Sequence, residues 1–132
     1  MKNEFTITIG EVISIHEILI EQFGGIKGVR DMGLLESSVN RVYQTFEGKE
    51  LYPSPAEKAA AIFESLISNH PFVDGNKRIA YVMLRRVLLN DNFDIKASAD
   101  DKYSFVISAA SGKMDYSEIK NWISEKLIQN KG

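Results

Sequence analysis

No cysteine occurs anywhere in the 132-residue chain. Disulfide frameworks, thiolate metal centres and cysteine nucleophiles are therefore excluded together. Proline is scarce: Pro53, Pro55 and Pro71 are all there is. No apolar run is long enough to span a bilayer. The opening Met1-Lys2-Asn3-Glu4 lacks the apolar core and small-residue cleavage site of a secretory signal, so the cytoplasm is the expected compartment. Excess charge is also missing. Sixteen Lys and Arg against eighteen Asp and Glu leave a formal charge of −2, so no global field draws the protein to nucleic acid or an anionic membrane. Internal repeats, low-complexity tracts and strong strand signals are absent.

What is present fits an ordinary globule, with 44% hydrophobic and 26% charged residues. The length suits one domain over residues 1–132. The chain reads as successive helices with marked ends. Thr8 and Glu11 form a capping box, with Ile7 and Val12 as its staple. Val12, Ile15, Ile18, Leu19 and Phe23 then recur at helical spacing until Gly24-Gly25. A second helix opens at Asp31 and carries Leu34, Leu35, Val39, Val42, Tyr43 and Phe46 on one face. Ser54-Pro55-Ala56-Glu57 starts a third, which should stop near Asn69 because Pro71 disfavours helical geometry at His70. A fourth runs from Gly75 or Asn76 to about Asn90. Its stretch Ile79–Leu84 is apolar nearly all round, as in a central buried helix. A turn at 90–92 and a short extended piece at 93–95 follow. A fifth helix spans Asp100 to Ser111. A sixth begins after Asp115, with Ile119, Trp122, Ile123 and Leu127 inward. The expected fold is all-α, a compact bundle of about six helices around the fourth, with room for a short β-hairpin in the loop 47–54.

The segment His70-Pro71-Phe72-Val73-Asp74-Gly75-Asn76-Lys77-Arg78 carries the chemistry. A helix start leaves backbone N–H groups unpaired at the positive end of the macrodipole. Acidic residues belong there, yet this helix begins with Lys77 and Arg78, at a cost of roughly 0.3–1 kcal/mol each. Gly75 permits close approach of a ligand. Free N–H groups, glycine and two cations make an anion site, and phosphate is the natural anion. Asn76 adds an amide able to position an oxygen. Asp74 beside a phosphate suggests a bridging Mg²⁺, held by one carboxylate and the substrate. His70 has the intrinsic basicity of a general base. Pro71 stiffens the turn and Phe72 anchors it. Each residue alone is more often structural: a histidine before proline, Gly-Asn in a turn, Lys-Arg on a wet face. From the residues alone, a phosphate site and an ordinary capped turn both stay open.

The segment resembles the signature of the Fic/Doc (Fido) family, His-x-Phe-x-Asp/Glu-Gly-Asn-x-Arg. His70, Phe72, Asp74, Gly75, Asn76 and Arg78 match every fixed position. The resemblance extends over Gly28–Ser37 and Leu51–Ala59 and is to the death-on-curing branch, the toxins of type II toxin–antitoxin modules. It implies a Fido fold and a nucleotide-dependent transferase using ATP and Mg²⁺. AMP transfer to a protein hydroxyl is the commonest Fido activity and usually accompanies glycine at the position held here by Lys77. In the death-on-curing branch a lysine there accompanies transfer of the γ-phosphate, so a protein kinase is favoured over an AMP transferase.

By that likeness His70 deprotonates the target hydroxyl, and Asp74 holds the metal or orients the nucleophile. Gly75, Asn76, Lys77 and Arg78 bind the phosphates, with Lys77 and Arg78 also stabilising transition-state charge. Tyr52 and Pro53 belong to a flap that holds the target by strand addition. The implied partners are a translation factor, elongation factor Tu in the branch, and an antitoxin of Phd type whose disordered tail folds onto the toxin. The chain departs from the branch at Ile79, where relatives have threonine, and at Ser68 and Val82, where polar residues differ or are lost. The inhibitory pattern Ser/Thr-x-x-x-Glu-Gly/Asn is absent; Glu47-Gly48 comes nearest, with Tyr43 in the hydroxyl position. A non-catalytic helical binding module is the alternative of another class. Arg30 and Asp31 read as a turn with Asp31 as N-cap, and Arg30 within reach of a nucleotide. His16 reads as structural.

Overall fold

A computed structural model describes residues 6–130. The segment Met1–Glu4, on which the reading of a missing secretory signal rests, lies outside the described residues. Six helices account for most of the described chain: α1 (Ile9–Phe23), α2 (Met32–Arg41), α3 (Pro55–Asn69), α4 (Asn76–Asn90), α5 (Ala99–Ala110) and α6 (Tyr116–Lys126). Two small antiparallel pairs complete it. β1 (Thr45–Phe46) pairs with β2 (Lys49–Glu50), and β3 (Phe93–Ile95) with β4 (Leu127–Gln129). The all-α expectation with a short hairpin holds. No helix among the described residues is long and apolar enough to cross a membrane.

Local chemistry explains the ends. Thr8, Asp31, Ser54, Ser98 and Asp115 each accept a backbone N–H three residues on, satisfying one orphan donor per helix. Ser54 and Asp115 form complete boxes with Glu57 and Glu118. At Thr8 only half of the expected box is present: Thr8 accepts from the Glu11 N–H, while the Glu11 carboxylate takes the Arg86 Nε at 2.9 Å.

The centre is shared by α3 and α4, joined by residues 70–75. α3 buries Ala59, Ala60, Ala61, Ile62, Phe63, Leu66 and Ile67, and α4 buries Ile79, Ala80, Met83, Leu84, Val87 and Leu88. Three consecutive alanines let neighbouring helices pack close to α3, while the large side chains of α4 fill the space. Burying each Leu or Ile contributes about 1.5–3 kcal/mol. Around this pair lie α2, α5 and α6, with Phe105 of α5 stacked between Phe63 and Trp122.

Some expectations fail for want of a partner. Ile18 and Phe23 continue the helical spacing of α1 but are 53% and 64% exposed. Phe46 is not on the α2 face; the helix stops at Arg41, and Phe46 sits exposed in the hairpin. That hairpin begins two residues before the loop assigned to it, turning on Glu47 and Gly48, both at positive φ as its two-residue turn requires. Leu127 leaves α6 and opens β4 opposite Ile95. The Arg85 guanidinium forks onto Asp94 at 2.8 and 2.7 Å, tying this small sheet to α4.

Candidate functional site

α3 ends abruptly. His70 caps it in the left-handed conformation, at φ 49° and ψ 57°, and its N–H still donates to Leu66 O. Pro71 and Phe72 are buried next, and Val73 and Asp74 return to the surface. Gly75, at φ 75°, then opens α4. Between the two helices the loop is held from several sides. The Asn76 amide clamps Phe72: Oδ1 accepts the Phe72 N–H, and Nδ2 donates to the Phe72 carbonyl, both at 3.0 Å. Buried His16 stacks its ring on Phe72 at 3.8 Å, and its Nε2 lies 2.7 Å from the Asp74 carbonyl. Since a carbonyl can only accept, that Nε2 carries the proton. Val29 bridges to Phe72, and Val73 N–H donates to Gly28 O. Arg30 reaches past this bridge to the carbonyls of Asn69 and His70.

At the α4 start no side chain caps the helix. The Gly75 N–H is taken by Asp74 Oδ1, while the next three N–H groups face outward as in any helix start. Asp74 Oδ2 accepts the Ile26 N–H at 3.0 Å. These two backbone donors hold the Asp74 carboxyl below its ordinary range, aided by the charge of Arg78 and by His16. Asp74 is therefore ionised, with lone pairs left for a cation. Among the described residues no three acidic or imidazole groups cluster, so no all-protein metal cage exists. A Mg²⁺ shared with substrate phosphates needs only one carboxylate, and Asp74 fits that demand.

Asp74 through Arg78 line one side of a cleft of about 720 Å³. Leu19 and Phe23 of α1, Tyr81 and Val82 of α4, and Lys102, Tyr103, Val106 and Ile107 of α5 complete its lining. Two cations, the α4 start and a further lysine, Lys102, thus share one cleft with apolar and aromatic side chains. Arg78 lies 5.3 Å from the Phe23 ring and donates to Gly24 O at 3.2 Å, which fixes its direction. The Tyr81 hydroxyl is buried without a hydrogen-bond partner.

Of the residues singled out in the sequence, Asp74, Gly75, Asn76, Lys77 and Arg78 are brought together in the cleft. The Asn76 side chain holds the loop, with each end of its amide bonded once to Phe72 and a second Nδ2–H left over. His70 stands exposed at the other end of the loop and is not among the cleft's lining residues. Nor are Tyr52 and Pro53. The Tyr52 hydroxyl accepts from Arg41 Nε at 2.9 Å, and Arg41 is anchored in turn on Glu64 and Ser65 of α3, so Tyr52 roots the segment after the hairpin. Asp31 is the N-cap expected of it, and His16 is structural as expected. Sequence reasoning missed the cleft's aromatic and α5 residues. No local signal marked them: Phe23 reads as one more residue of the apolar stripe of α1, and Tyr103 stands at helical spacing from Val106 and Ile107.

The Fic/DOC family model matches residues 6–88, a span covering the hairpin, the loop and nearly all of α4. A toxin named Doc from Mycolicibacterium smegmatis is 42% identical over 84 residues. That match takes in 59% of this chain and 65% of that protein, so the chain spans less than two thirds of its relative's length. The family model covers more than half of the chain and includes the whole loop-to-helix segment: this protein belongs to the Fic/DOC family.

Proposed function

We propose that the chain is the toxin of a toxin–antitoxin module and transfers the γ-phosphate of ATP to a hydroxyl of a target protein, a translation factor such as elongation factor Tu. The observation that carries this reading is Lys77. It stands with Arg78 on an uncapped helix start at the mouth of an aromatic cleft. An AMP transferase of this family usually has glycine there. Lysine occupies that space and supplies a point charge for a terminal phosphate. The name of the mycobacterial relative supports the toxin assignment.

On this reading the nucleotide base lies among the apolar and aromatic side chains of the cleft, and its phosphates point toward Gly75–Arg78. His70 takes the proton of the target hydroxyl as that oxygen forms its bond to the γ-phosphorus. The bond between the γ-phosphorus and the bridging oxygen breaks, and ADP departs with the electron pair. Lys77, Arg78 and the α4 N–H groups stabilise charge on the transferring group and on ADP. Asp74 would hold a Mg²⁺ together with the substrate's phosphates, and the ion would supply neutralisation of phosphate charge. The hairpin β1–β2 offers a short edge to an extended target segment. An antitoxin of Phd type inhibits by folding a disordered tail onto the toxin.

Label position tests the reading. Purified protein with Mg²⁺ and a translation extract should pass label from γ-labelled ATP to a protein, and His70→Ala should abolish it. Transfer from α-labelled ATP alone would overturn the phosphate reading in favour of AMP transfer.

A further inference from the structure

We infer that Arg30 is a positioning residue that sets the aim of His70, an inference that rests on the reading of His70 as the general base. His70 is one of three non-glycine residues at positive φ among the described residues, and the only one of them within the signature loop. Left-handed backbone crowds the Cβ of any residue but glycine. It persists only where the surroundings hold it. Three consecutive carbonyls show how. Arg30 Nη2 donates to Asn69 O at 2.8 Å and Arg30 Nε donates to His70 O at 2.7 Å. The backbone N–H groups of Arg30 and Asp31 both donate to Pro71 O, at 2.7 and 3.0 Å. The carbonyls of residues 69, 70 and 71 therefore all end on the same two residues, some forty positions earlier in the chain.

The charge and shape of Arg30 suit the task. A planar guanidinium delivers two donors in a fixed fork, and charge-assisted bonds are roughly twice as strong as neutral ones. Lysine offers a single ammonium on a flexible stem and can hold one carbonyl well, not two in register. Asp31, the next residue, is locked as the α2 N-cap through Leu34 N–H. The guanidinium thus hangs from a rigid helix start and acts on the last turn of α3. Arg30 does not line the cleft, so its removal should change the direction of the His70 side chain and leave nucleotide binding intact.

The test compares Arg30→Ala, Arg30→Lys and His70→Ala by three readouts. For Arg30→Ala the kcat of phosphate transfer should fall on the order of 10²-fold, the loss a misplacement of about 1 Å produces. The KM for ATP should stay within about twofold. Arg30→Lys should recover part of the kcat. The backbone chemical shifts of His70 should move from left-handed toward extended values in Arg30→Ala and only partly in Arg30→Lys. Unchanged His70 shifts in Arg30→Ala would overturn the inference without any activity assay. So would a kcat equal to wild type in a variant whose shifts have moved, or a loss confined to ATP affinity. Should Arg30→Ala not fold, Arg30→Lys carries the same comparison. If His70→Ala keeps full transfer, the proposed function fails, and the shift measurement still decides whether Arg30 holds the His70 backbone.

Discussion

Replacing Asn76 with alanine separates two meanings of the same residue. The family signature places Asn76 among the phosphate-binding groups, whereas the structure engages both ends of its amide on the Phe72 backbone. Each such neutral bond contributes about 0.5–1.5 kcal/mol net, so removing both should cost about 1–3 kcal/mol. Phe72 is 1% exposed, so water reaches the freed groups poorly, which pushes the loss toward the upper part of that range. Alanine's better helix propensity offsets at most about 0.7 kcal/mol, and less at a helix start. A net loss of about 2 kcal/mol corresponds to a Tm drop of roughly 6–10 °C for a chain of this size. Thermal unfolding followed by circular dichroism, with urea unfolding beside it, measures this directly. Asn76→Asp sharpens the result. It keeps an acceptor for Phe72 N–H and adds a charge that the helix dipole favours by about 0.3–1 kcal/mol, but it sets a second oxygen against the Phe72 carbonyl in place of the Nδ2 donor. Stability should therefore fall at least as far as in Asn76→Ala, and ATP affinity should fall more. Asn76→Ala within about 0.5 kcal/mol of wild type, combined with collapsed ATP affinity, would refute the clamp and restore the amide as a ligand.

Two other outcomes follow from the same geometry. In Gly25→Ala the new Cβ would stand 2.8 Å from Asp74 Oδ2 at a φ of +124°, so the carboxylate must leave the Ile26 N–H; NMR titration should find the Asp74 carboxyl moved up toward its ordinary range, with Gly75 N–H and Arg78 still lowering it, and a carboxyl that has not moved would contradict the account. Asp94 is held below the usual carboxylate range chiefly by the Arg85 fork. A depressed folded pKa contributes stability above the unfolded value of about 3.9 that disappears as pH falls through the folded value. Asp94→Asn should thus be less stable than wild type at pH 7, by about 1 kcal/mol or less because Arg85 is 43% exposed. That gap should close between pH 4 and more acidic conditions in urea unfolding.

Which features were legible depended on the range of the forces that make them. Thr8, Asp31, Ser54 and Asp115 act three residues away, so helix starts could be read directly. Pro71 and Gly75 announce their backbone by type, and the junction expected near Asn69 and at Gly75 or Asn76 lies there. Ile18, Phe23 and Phe46 were misassigned because apolar spacing identifies a face but not whether anything covers it. Leu127 looked helical because its strand partner, Ile95, lies far off in the chain. In the site, the cations and Asp74 were visible as a local run. The hold of His16 and Arg30 on the loop was not visible, since they reach it across 58 and 40 positions; Arg30 was expected near a nucleotide instead. Nor could the double engagement of Asn76 be seen, because it exists only once the chain has turned back on itself at residues 72–76.

If the proposed transfer is this protein's activity, the pair Lys77-Arg78 sets its folding against its chemistry. Both residues are exposed and sit where the backbone already presents positive charge. Glutamate at either position would favour the helix by up to about 1 kcal/mol over the cation it replaced. A screen that rewards only thermal resistance should accordingly enrich acidic residues there and deliver sturdier, inert proteins. The first turn of α4 is thus where improvement of the scaffold and retention of activity pull in opposite directions.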